Sequence, residues 1–185
     1  MDTLSHSLWG YGLFGYRGYP CLAILFGTMP HLLSFGIIII RNIITGSFTL
    51  GRPALDTIPA WTVSVYDFTH SLVVAGVVIA VVHIRRKDIS FAMFAWPFHV
   101  LLDIPFHTAD YFPTKMFWPL TSYFIDGIAW STPWVWLSNL MGLLVIFSYR
   151  WYSRKKKNKY CSSQIVSVAA VNRGAEIDER RFDSG

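Results

Sequence analysis

The stretch FTHSLVVAGVVIAVVHIRRK, residues 68–87, decides the fold. From Phe68 to Ile84 it holds no Asp, Glu, Lys or Arg, and then Arg85, Arg86 and Lys87 follow in a row. An apolar run of that length closed by cations reads as a helix in lipid. Working outward, four more segments are apolar enough to consider: Leu4–Tyr16, Tyr19–Ile40, Ile89–Ile104 and Trp134–Tyr152. The first and fourth fall short of the roughly 20 residues that a full span needs, so they are expected to tilt, re-enter or pack inside a bundle. Gly27 and Pro30 interrupt the second, and irregular backbone at that depth is tolerated only inside protein or beside a watery cavity. The expected fold is an all-α polytopic integral membrane bundle with about four or five membrane helices.

Composition agrees. In 185 residues, hydrophobic types make up 53%, aromatics 17% and charged residues only 15%, against a usual charged share of about 25%. This excludes a disordered chain, a coiled coil and a nucleic-acid-binding domain. The formal charge of +5 is a property of the tail: residues 1–150 hold eight Lys/Arg against seven Asp, and residues 151–185 hold eight against four acidic residues. Arg154, Lys155, Lys156 and Lys157 read as an anchor facing anionic lipid rather than nucleic acid, since no stacking platform accompanies them. Cys21 lies in an apolar stretch and Cys161 in the tail, with many spans between them, so no disulfide framework is expected. No secretory leader is read at the start, where Asp2 and His6 precede the first cation, Arg17.

Basic residues set the orientation. Arg17, the Arg85–Lys87 group and residues 150–159 fall on one side of an alternating chain, which is then the cytoplasm. The N-terminus and the 41–67 and 108–133 loops face outward. Residues 1–152 form the membrane domain of a multi-pass cell-membrane (plasma or inner) protein. Residues 153–185 are expected to be a disordered cytoplasmic tail.

The ionisable residues are unevenly placed on this topology. Asp2 and His6 open the first segment, His31 lies in the outer half of the second, and Asp67 and His70 open the third. His99, Asp103 and His107 run along the outer end of the fourth, with Asp110 beyond; only His83 falls on the inner side. Ionisable groups inside spans are costly and usually mark a site, and histidine with carboxylate is the ligand set of zinc, manganese and iron. His99 and Asp103, four apart, share a helix face, as do Asp2 and His6. Pro105 bends or ends the helix so that His107 can turn inward. Each element also has a plain structural reading: Asp2 as a helix cap, Asp67 as another, Asp103 as the partner of His99, and each His as a hydrogen-bonded core residue. The plain readings do not account for convergence of four separate segments on one membrane face. The candidate metal ligands are therefore Asp2, His6, His31, His70, His99, Asp103 and His107, with Asp103 or Asp110 as a catalytic carboxylate.

These residues sit in phrases that carry a resemblance. Met-Asp2-Thr3-Leu4-Ser5-His6-Ser7-Leu8, Phe68-Thr69-His70-Ser71-Leu72, the stretch from His99 through Asp103 and Pro105 to His107, Phe112-Pro113-Thr114, Phe117-Trp118-Pro119-Leu120 and Gly127-Ile128-Ala129-Trp130 together resemble the YdjM-like family of membrane-bound, metal-dependent hydrolases. The likeness extends over about residues 1–130. It departs from the family phrase Gly-x-x-Pro-Asp-Leu-Leu-Ser-Phe-Gly at one position: Gly27-Thr28-Met29-Pro30 is followed by His31, which can replace carboxylate as a ligand without its charge.

The resemblance implies a divalent metal, zinc or else manganese or iron, as one or two ions, and hydrolysis of an ester or phosphoester. Seven candidates exceed the ligands of one catalytic zinc, so either two metals bind or some candidates support others. A site at the outer interface meets membrane lipid, so a lipid or other small molecule is the expected substrate; the sequence sets no oligomeric state. Two rivals stay open. Intramembrane His and Asp also line metal-ion or proton transport pathways, with His83 as the one possible exit residue. A degenerate, structural membrane protein would fit His31.

Overall fold

The computed structural model describes residues 2–49 and 53–156. The expected disordered tail, 153–185, lies outside the described residues apart from 153–156. The chain divides into two units, Met1–Leu143 and Leu144–Gly185. The second is helical over its described residues, 144–156. The first carries everything below.

It is all-helical: no strand occurs among the described residues. The helices are α1 (Thr3–Phe14), α2 (Pro20–His31), α3 (Ile37–Ile44), α4 (Ala60–Thr69), α5 (Leu72–Arg85), α6 (Lys87–Met93), α7 (Ala95–Asp103) and α8, residues 133–143. Among the described residues two stretches are long and apolar enough to cross a membrane, Pro20–Ile44 and Lys87–Phe106; the bent α4–α5 pair makes a third if it is one span. This is fewer than the four or five expected. The length of α1 explains part of the difference: 12 residues reach about 18 Å, well short of the roughly 30 Å of hydrocarbon.

Local chemistry shapes these elements. Pro20 opens α2, where its missing N–H costs nothing. A π turn at Leu32–Gly36 follows Pro30 and His31 and joins α2 to α3; such single turns widen a helix locally. The Ser34 hydroxyl donates to the Pro30 carbonyl at 2.7 Å. The α4–α5 pair bends by 56° at His70 and Ser71. The groups freed there find new partners, as burial away from water requires. Trp96 Nε1 donates to the Thr69 carbonyl at 2.7 Å, Leu72 N donates to the Met116 carbonyl at 2.9 Å, and Ser71 caps α5 by accepting from Val74 N.

Helices α1 and α2 touch backbone to backbone through two glycines. A Cβ on Gly10 would lie 2.5 Å from the Ala23 carbonyl oxygen, and one on Gly27 would lie 2.7 Å from that of His6. Small residues permit such an approach. Helix α7 packs on both, and Trp96 and Val100 of α7 meet Ala75 of α5, with Phe26 and Met29 of α2 alongside. A buried polar chain fixes α8 to α1: Trp9 Nε1 donates to Asn139 Oδ1 at 2.8 Å, and Asn139 Nδ2 donates to Ser5 Oγ at 2.7 Å. This topology places the starts of α1 and α5 and the ends of α2, α4 and α7 at one end of the bundle. At the other end Tyr19 and Arg86 both bond Asp88, and His83 Nδ1 meets Ser90 Oγ at 2.8 Å.

Candidate metal centre

Asp103, the last residue of α7, is fully buried, and five imidazoles point at its carboxylate. His6 Nε2 of α1 lies 3.0 Å from Oδ1, and His107 Nε2, just past α7, lies 3.5 Å from the same oxygen. His31 Nε2 at the end of α2, His70 Nε2 at the α4–α5 break and His99 Nε2, one turn before Asp103, lie 3.3, 3.5 and 3.2 Å from Oδ2. His70 Nε2 and His99 Nε2 are 3.2 Å apart. The rings also pack on each other: His6 stacks on His99 with centroids 3.6 Å apart.

The outward nitrogens show what the inward ones can do. His99 Nδ1 lies 2.7 Å from the Gly27 carbonyl oxygen, His70 Nδ1 3.0 Å from that of Tyr66, and His107 Nδ1 3.0 Å from that of Phe112. A carbonyl only accepts, so in each ring Nδ1 carries the proton and a neutral ring presents a lone pair at Nε2. His31 Nδ1, 3.3 Å from Thr3 Oγ1, has a partner that can accept in the same way. The lone pairs of His70 and His99 then face each other beside a carboxylate oxygen, in a place sealed from water. Such an arrangement repels itself unless imidazoles take second protons or a cation sits among them, and buried charge without a counter-charge is expensive. A metal ion among them gives inward nitrogens the electron-pair acceptor that the carboxylate cannot supply. Backbone carbonyls holding the far nitrogen of each ring are also the usual support of histidine ligands. The donor set therefore fits a metal. His6, His31, His99 and Asp103 by themselves form a group that could hold an ion, with one ligand atom from each lying within 4.8 Å of the others.

The sequence candidates thus divide. His6, His31, His70, His99, Asp103 and His107 are brought together. Asp2 is used differently: it is the N-cap of α1, and its two carboxylate oxygens accept from Ser5 N at 2.8 Å and Ser5 Oγ at 2.6 Å. Asp110 is exposed on the loop beyond His107. It lines an open cavity of about 230 Å³ with Leu55, Ile58, Val63, Phe112 and Pro113. Asp67, a possible cap by sequence, pairs instead with Lys115 Nζ at 2.7 Å.

Other functional residues were not singled out by sequence. Tyr66 stacks on His70 with centroids 3.8 Å apart. Its hydroxyl lies 3.0 Å from His107 Nδ1 and 3.1 Å from Thr114 Oγ1, so it can accept from the histidine while donating to the threonine. The position of Tyr66, four before His70, was the available signal. The 121–130 segment lies along the end of α7: Gly127 N and Ile128 N donate to the His107 and Pro105 carbonyls at 2.9 Å each, and Trp130 N to that of Phe106. A Cβ on Gly127 would fall 2.3 Å from the Pro105 oxygen, so only glycine allows this contact, which fixes the backbone of His107. Phe112 carries a positive φ of 52°, a conformation uncommon outside glycine. It stands between Tyr66, 5.1 Å away by ring centroids, and the cavity.

Comparison with protein-family models, curated proteins and solved structures gives no match.

Proposed function

We propose that this is a multi-pass cell-membrane protein of four or five spans, a metal-dependent hydrolase of the kind the YdjM-like motifs suggest. In this reading it cleaves an ester or phosphoester of a lipid or lipid-linked molecule at the outer interface, with its C-terminal tail in the cytoplasm. One observation carries the reading: five Nε2 atoms converge on one buried carboxylate, three of them on rings whose other nitrogen is held by a carbonyl. His31 supports a working centre rather than a degenerate one, because at the family's aspartate position it keeps a ligand atom 3.3 Å from Asp103.

Imidazole and carboxylate donors favour zinc, with manganese or iron as alternatives. A bound divalent ion supplies Lewis acidity and makes water acidic enough to act as a nucleophile near neutral pH. The chain's own residues do the rest. His70, His99 and His107 are held rigid through their Nδ1 atoms. Asp103 neutralises part of the charge. Asp110, which lines the cavity, would be the carboxylate that moves a proton. The apolar lining of that cavity, from Leu55, Ile58, Val63 and Phe112, suits a substrate with a hydrocarbon portion.

The test is metal content by elemental mass spectrometry on detergent-purified protein, wild type beside the double variant His99→Ala/Asp103→Ala, followed by a screen of phospholipids and p-nitrophenyl phosphoesters. Stoichiometric metal lost in the double variant, together with metal-dependent hydrolysis, is expected. Protein that stays empty after reloading with zinc and manganese would refute the metal reading. Protein that binds metal but hydrolyses none of the panel would refute the stated substrate class.

A further inference from the structure

The five histidines are not spread evenly around Asp103. They sort by carboxylate oxygen. Around Oδ2 stand His31, His70 and His99, at 3.3, 3.5 and 3.2 Å, and the His70 and His99 nitrogens are 3.2 Å from each other. Around Oδ1 stand His6 and His107, at 3.0 and 3.5 Å. Ligands about 2.0–2.1 Å from a tetrahedral ion lie about 3.3–3.4 Å from one another, since the edge of a tetrahedron is about 1.6 times its radius. Four of the six edges of the Oδ2 group are measured, and at 3.2–3.5 Å they lie close to that length. Within the Oδ1 group His107 stands near that edge at 3.5 Å and His6 stands closer, at 3.0 Å.

We infer that Asp103 bridges two metal ions, one held by His31, His70, His99 and Oδ2, the other by His6, His107 and Oδ1. The inference rests on the metal reading above and extends it to number and division of labour. The first group has four protein ligands, the complement of a closed tetrahedral site. The second has three, the complement that leaves a position for a substrate oxygen. Two ions sharing one carboxylate would be placed to stabilise both the entering and the leaving oxygen of a phosphoester displacement. This favours the phosphoester over the carboxylic ester as substrate class.

The two sites differ in how firmly they are built. In the first, His70 and His99 are anchored by carbonyls and His31 faces Thr3. In the second, His107 is anchored by Phe112 and Tyr66. His6 Nδ1, although buried, has no hydrogen-bond partner among the described residues, so the His6 ring is oriented only by its packing and by Asp103. The second ion is therefore the exchangeable one. Phe112, whose carbonyl accepts from His107 of the second group, also lines the cavity beside Asp110. The competing arrangement is a single ion on His6, His31, His99 and Asp103.

The experiment counts ions in the full-length, detergent-purified chain and does not depend on activity. Wild type, stripped with a chelator and reloaded with zinc, is expected to hold two equivalents, and a weak chelator should remove one before the other. His6→Ala should keep one equivalent and His70→Ala should fall below two, with far-UV circular dichroism and size exclusion confirming the fold of each. Reloaded with manganese, wild type should give the multiline electron paramagnetic resonance of a coupled pair, and this carries the test should the variants misfold. One equivalent in wild type with an uncoupled manganese spectrum overturns the bridge and leaves the metal reading intact. Two equivalents retained by folded His6→Ala, or both lost from it, overturns the assignment of the second site. No metal in wild type overturns both the bridge and the metal reading.

Discussion

Gly27→Ala tests whether the backbone contact between α1 and α2 sets the geometry of the metal centre. The glycine has two duties. Its carbonyl holds His99 Nδ1 at 2.7 Å, and its missing side chain lets α1 approach until an added Cβ would stand 2.7 Å from the His6 carbonyl oxygen. Ordinary contact begins near 3.4 Å, so the methyl must push the two backbones apart by about 0.7 Å, the difference between those two distances. Neither contact atom is a flexible side-chain end. Metal bonds tolerate only about 0.2 Å, so moving His6 relative to His99 and Asp103 by several times that should weaken binding at least as much as losing a supporting residue, about 10–100-fold. Overpacking should also lower stability by about 1–3 kcal/mol. Gly76→Ala is the matched control: it lies inside α5, where an added methyl group would meet nothing within 4 Å, and a helical Ala for Gly should stabilise by about 1 kcal/mol or less without touching the metal. Zinc affinity by competition with a chromophoric chelator, and thermal unfolding in the same detergent, give both quantities. Wild-type zinc affinity in Gly27→Ala would show that α1 yields at this point and that the glycine crossing does not position His6.

Two other substitutions separate the centre from its scaffold. Tyr66→Phe keeps the ring on His70 and removes the hydroxyl that lies 3.0 Å from His107 Nδ1; zinc affinity should fall by about tenfold, within the range for supporting partners, with little change in melting temperature, and an equal affinity in the same chelator competition would remove Tyr66 from the site. Asn139→Leu breaks the links from α8 to Trp9 and Ser5 and leaves the Trp9 N–H without that acceptor; stability should drop by about 1–3 kcal/mol with zinc stoichiometry unchanged, and a drop in metal content of the folded variant would show that α8 helps to build the centre.

How much of this was legible in the sequence depends on what each residue needs around it. His99 and Asp103 were legible because four residues on a helix fix their relation, and His107 because Pro105 had to end the α-helix; the structure turns Ile104–Phe106 into a 3₁₀ turn there. His6, His31 and His70 were legible only as a group, by falling on one membrane face, since nothing local says that α1, α2 and the α4–α5 break meet. Asp2 shows the limit of spacing. It shares a face with His6 by periodicity, yet as the residue before a helix its carboxylate is more strongly claimed by free N–H groups than by a site four residues on. The contacts made by backbone were not legible at all. Gly27, Gly127 and the carbonyls of Tyr66 and Phe112 hold the rings through atoms that every residue possesses, so no side-chain pattern announces them. The number of spans was legible only in part, two or three of them having helices long and apolar enough among the described residues. Hydropathy measures what a segment can bury and not how far it reaches: α1 is apolar, but as a 12-residue helix that meets α2 at Gly10 and α8 at Ser5 and Trp9 it is too short to cross about 30 Å of hydrocarbon.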